Sequence, residues 1–232
     1  MYFYLGQCYK HLYSPSYHEN EELWLRTVDI IERMSLAVHE FRKTELLIAT
    51  YGELGMLYWG GGEINDNTQK AEDYFGKVIA YYNQNEHRFS DEERQCFRIN
   101  YSVSLCRLAA IVFNKGGNVE RAYSLAKKAI EESRKAHLSE PSVATIYYLF
   151  DSYKVMSAIC AKRGGEYTQE ARAAAVEMIR ILQPLAENSF DFRSMQLFSD
   201  ALIDFALGGL STKEEKIDSL VCAEKTLKKC FL

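Results

Sequence analysis

The sequence predicts an all-α protein built from repeated pairs of helices. Apolar residues recur along most of the chain at the spacings that line one face of a helix. A double glycine recurs at 61–62, 116–117, 164–165 and 208–209, in steps of 55, 48 and 44 residues. Glycine commonly ends helices, and the three prolines fall between the periodic segments. These observations predict about five helix pairs, which is about ten helices, and no strand.

The clearest copy of the pattern runs from Tyr51 to Ala80. Its first half carries a large, a small and a large residue at i, i+1 and i+4: Leu54, Gly55 and Tyr58. Its second half carries apolar residues at i, i+4 and i+7: Ala71, Phe75 and Val78. A residue as small as Gly55 lets a second helix approach closely, so we expect a tight helix contact at this position.

This spacing resembles the tetratricopeptide (TPR) repeat, with its W-x2-L-G-x2-Y and later A-x3-F pattern. Tyr51 stands where the family usually has Trp, and about four extra residues occupy the corner. The resemblance implies a right-handed superhelical solenoid of about five antiparallel helix hairpins, a single domain over 1–232, and binding of other proteins. The periods here exceed the family's 34 residues, so the helices or corners must be longer.

The first predicted helix, Met1 to Leu12, repeats the L-G-x2-Y pattern at Leu5. A helix partner is predicted from Glu19 to Phe41. The first turn is apolar, whereas the end of a solenoid normally has a polar cap. We therefore expect a cover over this turn: a preceding part of a longer protein, a partner, or a second copy that makes a homo-oligomer.

The next helices follow from periodicity and end signals. The second pair is predicted at Glu45 to Trp59 and Ala71 to Tyr82, followed by a loop from Asn83 to Phe89. Ser90 and Glu93 form a capping box that opens a helix ending at Asn114. The partner helix carries an alanine stripe at Ala122, Ala126 and Ala129, and Leu105 and Cys106 take the places of Leu54 and Gly55.

The last two pairs match the repeat less closely. Pro141, with Ser139 before it, opens a helix that stops at Gly164, and either Ser157 or Ala158 is its small contact residue. The partner helix, with Ala171, Ala175 and Met178, is predicted to end at Pro184. The final pair is Phe192 to Leu207 and Ile217 to Phe231, with a capping box at Ser211 and Glu214.

The net charge and the cysteines argue against several functional classes. The net charge of −4 and pI near 5.8 argue against nucleic-acid binding. Six cysteines without a C-x-x-C pair predict buried free thiols and a cytoplasmic protein. No apolar run suggests a membrane helix or a signal peptide, so no membrane partner is expected.

No pattern of catalytic or metal-binding residues stands out. His18 and His39 each begin an H-E pair but lack the second His of a zinc protease. Cys8 and His11 share a helix face without a third ligand, and packing explains them better than a metal or a nucleophile. We therefore expect no enzyme activity, no cofactor and no metal.

Two functional classes remain. The first is a scaffold that binds a peptide or a partner helix in a concave groove. The second is a regulatory or sensor module of a larger protein that responds to a peptide or small ligand, and the apolar first turn favours it slightly. The TPR resemblance implies that the groove is lined by seven residues: Gln7, Lys10, Met56, Trp59, Asn100, Arg107 and Lys162.

Overall fold

A computed structural model of the chain describes residues 17–33, 36–60, 64–188 and 192–229, and these contain nine α-helices and no strand. The helices are α1 (Tyr17–Arg33), α2 (Leu36–Gly60), α3 (Ile64–Asn85), α4 (Asp91–Asn114), α5 (Val119–Ser139), α6 (Val143–Arg163), α7 (Thr168–Asn188), α8 (Phe192–Leu207) and α9 (Lys213–Lys229). Two short 3₁₀ turns are Glu86–Arg88 and Gly165–Tyr167. The predicted all-α class is confirmed, and the predicted first helix, Met1 to Leu12, lies outside the described residues.

The chain forms two compact units, the first reaching Ile111 and the second beginning at Val112. In the first unit α1 packs on α2 and α2 on α3, and in the second unit each helix from α5 to α9 packs on the next. This successive packing is compatible with a helical repeat. The single domain over 1–232 stays a prediction.

Aromatic side chains and carboxylates fasten α1 to the rest of the first unit. Trp24 is buried on α1. The Tyr51 hydroxyl donates a hydrogen bond of 2.9 Å to Glu32 Oε1, and the Tyr58 hydroxyl donates to Glu21. Burial is the largest cause that raises the pKa of Tyr51, and the bond to Glu32 raises it further, so the phenol remains a donor at neutral pH.

The predicted close contact at Gly55 is confirmed. A Cβ atom built at Gly55 would lie 2.5 Å from Cε1 of Phe75 and 2.7 Å from Cδ1. The phenyl ring of α3 therefore lies directly against the backbone of α2. The other residues of the predicted pattern are all buried: Leu54, Tyr58, Ala71, Phe75 and Val78.

A cluster of phenylalanines joins the start of α4 to α2. The Phe97 ring centroid lies 5.2 Å from that of Phe41 and 5.4 Å from that of Phe89. Further along α4, the Tyr101 ring stacks on Tyr82 at 3.9 Å. These contacts fill the core of the first unit with aromatic surface.

Helix α4 contradicts the expectation that no apolar run is long enough for a membrane helix. By length and composition it is long and apolar enough to cross a membrane, because small polar residues hardly interrupt its apolar ones. More than half of that stretch is buried within the structure, as in the core helix of a soluble protein. Its composition therefore reflects packing on several sides.

Small residues set the packing of the second unit. The predicted alanine stripe Ala122, Ala126 and Ala129 is buried. Ser157 is also buried, and its hydroxyl donates a hydrogen bond of 3.2 Å to the carbonyl of Ala171 on α7, whereas Ala158 is exposed. Of the two candidates, Ser157 and Ala158, the small contact residue is therefore Ser157.

The predicted glycine ends are confirmed where the structure describes them. Gly116, Gly164 and Gly209 adopt φ values of +68°, +64° and +73°, which side chains rarely tolerate. The pair at 61–62 lies outside the described residues. The predicted capping box at Ser90 is also confirmed, with the Glu93 amide donating to the Ser90 hydroxyl at 3.2 Å and Glu93 Oε2 accepting from the Ser90 amide at 2.9 Å.

Several predicted boundaries were wrong. The stretch predicted as one helix from Glu19 to Phe41 belongs to two helices, and α2 begins nine residues before the predicted start at Glu45. Helix α3 likewise begins before Ala71 and includes the first part of the predicted loop, up to Asn85. The residues of α3 before Ala71 are mostly polar and carry no apolar stripe, so periodicity alone missed that start.

One predicted helix start and one predicted cap were displaced. Helix α6 begins at Val143, two residues after Pro141, and Ser142 caps it, because its hydroxyl accepts from the Thr145 amide while Thr145 Oγ1 accepts from the Ser142 amide. At α9 the capping box is formed by Thr212 and Glu215, one residue later than predicted. Ser211 instead donates to a carbonyl of α8.

Pro184 does not end its helix as predicted but lies inside α7. Proline removes one backbone donor, yet the site is within four residues of the helix end, where few further bonds depend on it. Leu182 and Ala186, on either side, are both buried. Packing of this last turn therefore outweighs the missing hydrogen bond.

Glu215 should make stability depend on pH. The Arg172 guanidinium, followed by the amide of Thr212, lowers the pKa of Glu215 to about 2 from 4.5. A lowered folded pKa contributes stability that is present above about 4.5 and is lost as the pH falls through about 2. We expect the stability advantage of the wild type over Glu215→Gln, measured by urea unfolding, to shrink across this range. An Arg172→Met background should reduce that dependence, and an unchanged dependence there would contradict the assignment.

Candidate functional site

A groove of the second unit has a volume of about 780 Å³ and lies among α5, α6 and α7. Helix α5 contributes residues at i, i+3, i+7 and i+11 of one face: Lys127, Ile130, Arg134 and Leu138. The alanine stripe described above lies on the other side of the same helix and is buried. The amphipathic pattern of α5 therefore leaves this face to line the groove.

The base and far wall of the groove come from the next two helices. Helix α6 supplies Tyr153 and Met156, which are both buried. Helix α7 supplies the small residues Ala173 and Ala174, which leave room above the base. Leu138 remains 74% exposed at one end of the groove. The lining is thus largely apolar and open to solvent on one side.

The three carboxylates that line the groove are all engaged within the chain. Glu131 Oε1 lies 2.7 Å from Lys135 Nζ, and this ammonium lowers the pKa of Glu131. Glu177 lies 2.8 Å from Arg180 Nη2. Both oxygens of Glu170 accept from the Tyr123 hydroxyl at 2.9 Å. Each carboxylate is therefore already matched by a donor of the chain itself.

Two cations of the groove have no matching carboxylate in the part of the chain that the structure describes. Arg134 donates through Nη2 to the neutral hydroxyl of Tyr153 and pairs with no acidic group there. Lys127 is exposed and makes neither an ion pair nor a hydrogen bond with any described residue. The open groove consequently offers an apolar surface beside two uncompensated positive charges.

Two groups near the groove stay protonated at neutral pH. Burial, followed by the bond to Glu170, raises the pKa of Tyr123 to about 12, so its hydroxyl remains a donor at neutral pH. Burial also raises the pKa of Cys160 to about 11, so this thiol stays protonated at neutral pH. The Cys160 side chain lies 3.5 Å from the Met156 sulfur and is fully buried.

The predicted partner-binding residues are divided between the two units. Met56 and Trp59 are half-buried on α2, and Arg107 is half-buried on α4. Asn100 Oδ1 lies 3.8 Å from where a Cβ would stand at Gly52, so this amide faces α2. Whether these four residues bind a partner stays a prediction.

The structure describes one of the three remaining predicted residues. Lys162 belongs to the second unit, where its ammonium lies 4.9 Å from the ring centroid of Phe113. Gln7 and Lys10 lie outside the described residues. None of the five described residues of this set lines the groove of the second unit.

In a smaller pocket of the first unit, charged side chains already have partners within the chain. It has a volume of about 330 Å³ and is lined by Glu40, Lys43 and Arg88, among others. Arg88 pairs with Glu40, and Lys43 Nζ donates to the Glu32 carbonyl at 2.8 Å. The charged groups of this pocket are therefore less available to a ligand than Lys127 and Arg134 of the larger groove.

Sequence reasoning missed the groove residues, although a signal exists. Lys127, Arg134 and Leu138 fall at i, i+7 and i+11, so they share one face once the bounds of α5 are known. The described residues hold no group of three or more His, Cys, Asp or Glu side chains arranged to bind a metal. No protein-family model matches the chain, and a search of curated proteins gives no match.

Proposed function

We propose that the chain is a protein-interaction scaffold of TPR-like helical repeats that binds a peptide or partner helix. The right-handed solenoid of antiparallel hairpins is part of this proposal. It is supported by the recurrent L-G-x2-Y spacing and by the successive packing of helices within each unit. A cytoplasmic location is also proposed, supported by four described cysteines that form no disulfide. Cys106 and Cys160 are buried as predicted, whereas Cys96 and Cys222 are exposed.

The groove of the second unit is the observation that carries the proposal. Amphipathic helices bind proteins by laying an apolar face into a groove, with flanking charges that select the partner. Ile130 and Leu138 offer the apolar surface, and Lys127 and Arg134 offer charges that no described carboxylate neutralises. A binding role without catalysis fits these groups, because the neighbouring acids are paired and the nearby thiol is protonated.

A charge reversal at Lys127 tests this role. In affinity capture from host lysate with quantitative mass spectrometry, Lys127→Glu should weaken recovery of the specific partner about ten-fold. The reason is that an acidic group would then face the partner's carboxylates. Lys128→Glu is the matched control, because Lys128 is the next residue of α5 and does not line the groove.

The outcomes distinguish three possibilities. Loss of the partner with Lys127→Glu and its retention with Lys128→Glu support the groove. Equal recovery by both variants contradicts it. Loss with Arg107→Ala alone would instead support the surface predicted from the TPR resemblance. Thermal unfolding of each variant shows whether a loss reflects damage to the fold, since changes at exposed positions such as Lys127 and Lys128 usually alter stability by less than about 0.5 kcal/mol.

A further inference from the structure

The groove of the second unit has a polar centre on its base, where α5 meets α6. The Tyr153 side chain is buried at 6% exposure, and its hydroxyl accepts a hydrogen bond from the Arg134 guanidinium. Beside this bond the hydroxyls of Ser133 and Ser152 lie 3.1 Å apart, and both residues are buried. The two helices are therefore held together here and present Arg134 and Tyr153 side by side.

This centre has hydrogen-bond donors that the described part of the chain does not use. Tyr153 takes part in one hydrogen bond there, in which its oxygen accepts, so its hydroxyl proton has no acceptor among the described residues. The same bond occupies one of the five N–H donors that a guanidinium carries. Polar groups that line a ligand site are satisfied when the ligand supplies the missing partner. What the centre lacks is an acceptor.

The charges around the centre favour an anionic acceptor. Four cations and three carboxylates line the groove, so cations are in excess. Two of the cations are engaged by carboxylates, Lys135 by Glu131 and Glu132 and Arg180 by Glu177. The third carboxylate of the lining, Glu170, is bonded to Tyr123 and precedes Arg180 by ten residues, which is about 15 Å along α7. Arg134 is therefore the cation that remains available at the centre.

Apolar surface surrounds the same centre. Ile130 and Leu138 lie four residues before and four residues after Arg134, one helical turn away in each direction. Met156 follows Tyr153 by three residues on α6 and is 3% exposed. The groove volume of about 780 Å³ lies within the range of roughly 300 to 1,000 Å³ that is usual for small-molecule sites. The arrangement fits a ligand with one anionic group and an apolar body.

We infer that the groove binds a small apolar carboxylic acid, such as a medium-chain fatty acid. The carboxylate accepts hydrogen bonds from the Arg134 guanidinium and the Tyr153 hydroxyl, and the chain lies on Ile130 and Met156. The charge-assisted bonds orient the acid, and burial of its chain supplies most of the affinity. This inference goes beyond the proposed function, because it adds a small ligand that competes with a protein partner for the same groove. Binding of the acid itself needs no partner.

Isothermal titration calorimetry of the full chain with sodium decanoate tests the site. From the affinity per atom of small ligands, we expect a Kd between about 10 μM and 1 mM. Octanoate should bind about ten-fold more weakly, because each buried methylene strengthens binding about four-fold. Decyltrimethylammonium has the same chain length and the opposite charge, and it should bind at least about ten-fold more weakly than decanoate because its head group meets Arg134.

Two variants each remove one donor to the carboxylate. Arg134→Gln and Tyr153→Phe should each weaken decanoate binding about ten-fold, because each removes a hydrogen bond to a charged group. Neither should weaken binding of decyltrimethylammonium, whereas general damage to the groove would weaken both ligands. Arg121→Gln and Tyr148→Phe are the matched controls, since these residues belong to the same two helices and do not line the groove.

Three results would overturn the inference. Absence of decanoate binding at about 10 mM, ten times the weakest expected Kd, excludes the site. Equal affinities for decanoate and decyltrimethylammonium exclude recognition of a carboxylate. Unchanged decanoate affinity in both Arg134→Gln and Tyr153→Phe, each folded by circular dichroism, shows that the acid binds elsewhere. Arg134 is exposed, so its variant keeps the test valid if Tyr153→Phe fails to fold.

The affinity-capture experiment separates this inference from the proposed function. If Lys127→Glu loses the captured partner while decanoate does not bind, the protein-binding groove stands and the inference fails. If decanoate binds through Arg134 while Lys127→Glu and Lys128→Glu recover the partner equally, the inference stands and the proposed use of the groove fails. Where both hold, decanoate added to the lysate should lower recovery of the partner, and unchanged recovery would contradict competition for the groove.

Discussion

Replacing Gly55 by leucine should lower the free energy of unfolding by at least about 1 to 3 kcal/mol. Even a single Cβ at this position would lie 2.5 Å from the Phe75 ring, so α2 and α3 must separate or the ring must leave its site. Both changes disturb the centre of the first unit, where Leu54, Phe75 and Val78 are fully buried. Urea unfolding followed by circular dichroism measures the loss.

Gly76 provides the matched control for Gly55. It also lies within a helix, α3, but a Cβ there would meet no atom within 4 Å. Gly76→Ala should leave stability unchanged or raise it by up to about 1 kcal/mol, because alanine favours a helix over glycine. If Gly55→Leu and Gly76→Ala had the same unfolding midpoint, the close contact between α2 and α3 would be refuted.

Removing the Phe97 ring should cost more, about 3 to 5 kcal/mol. Phe97 is only 1% exposed and contacts the rings of Phe41 and Phe89, so Phe97→Ala leaves a cavity that its neighbours fill only in part. Phe192→Ala is the control, because that side chain is 55% exposed and should change stability by less than about 0.5 kcal/mol. Similar losses in both variants would show that the phenylalanine cluster does not stabilise the first unit.

Sequence reasoning succeeded where one residue type carries the signal. Gly116 and Gly164 adopt positive φ, which other residues rarely do, so glycine pairs marked the helix ends. Gly55 was placed correctly because only glycine leaves room for the Phe75 ring. The start of α4 was found because Ser90 and Glu93 satisfy each other's amides without help from the rest of the fold.

It failed where a tertiary contact chooses between local alternatives. Ser211 with Glu214 and Thr212 with Glu215 fit the same capping pattern. Arg172, on another helix, pairs with Glu215 at 2.5 Å and donates to the Leu210 carbonyl at 2.6 Å, which favours the second choice. Helix pairing likewise decides which faces meet, so the helical spacing of Lys127 and Arg134 could not show that their shared face lines a groove.

The positions of the two tryptophans have a practical consequence for spectroscopy. Trp24 and Trp59, the only tryptophans of the sequence, both belong to the first unit. Intrinsic tryptophan emission thus monitors the first unit alone, whereas far-ultraviolet circular dichroism monitors the helices of both. Recording the two signals during one denaturant titration therefore reveals whether the two halves of the chain melt as one cooperative body or in separate steps.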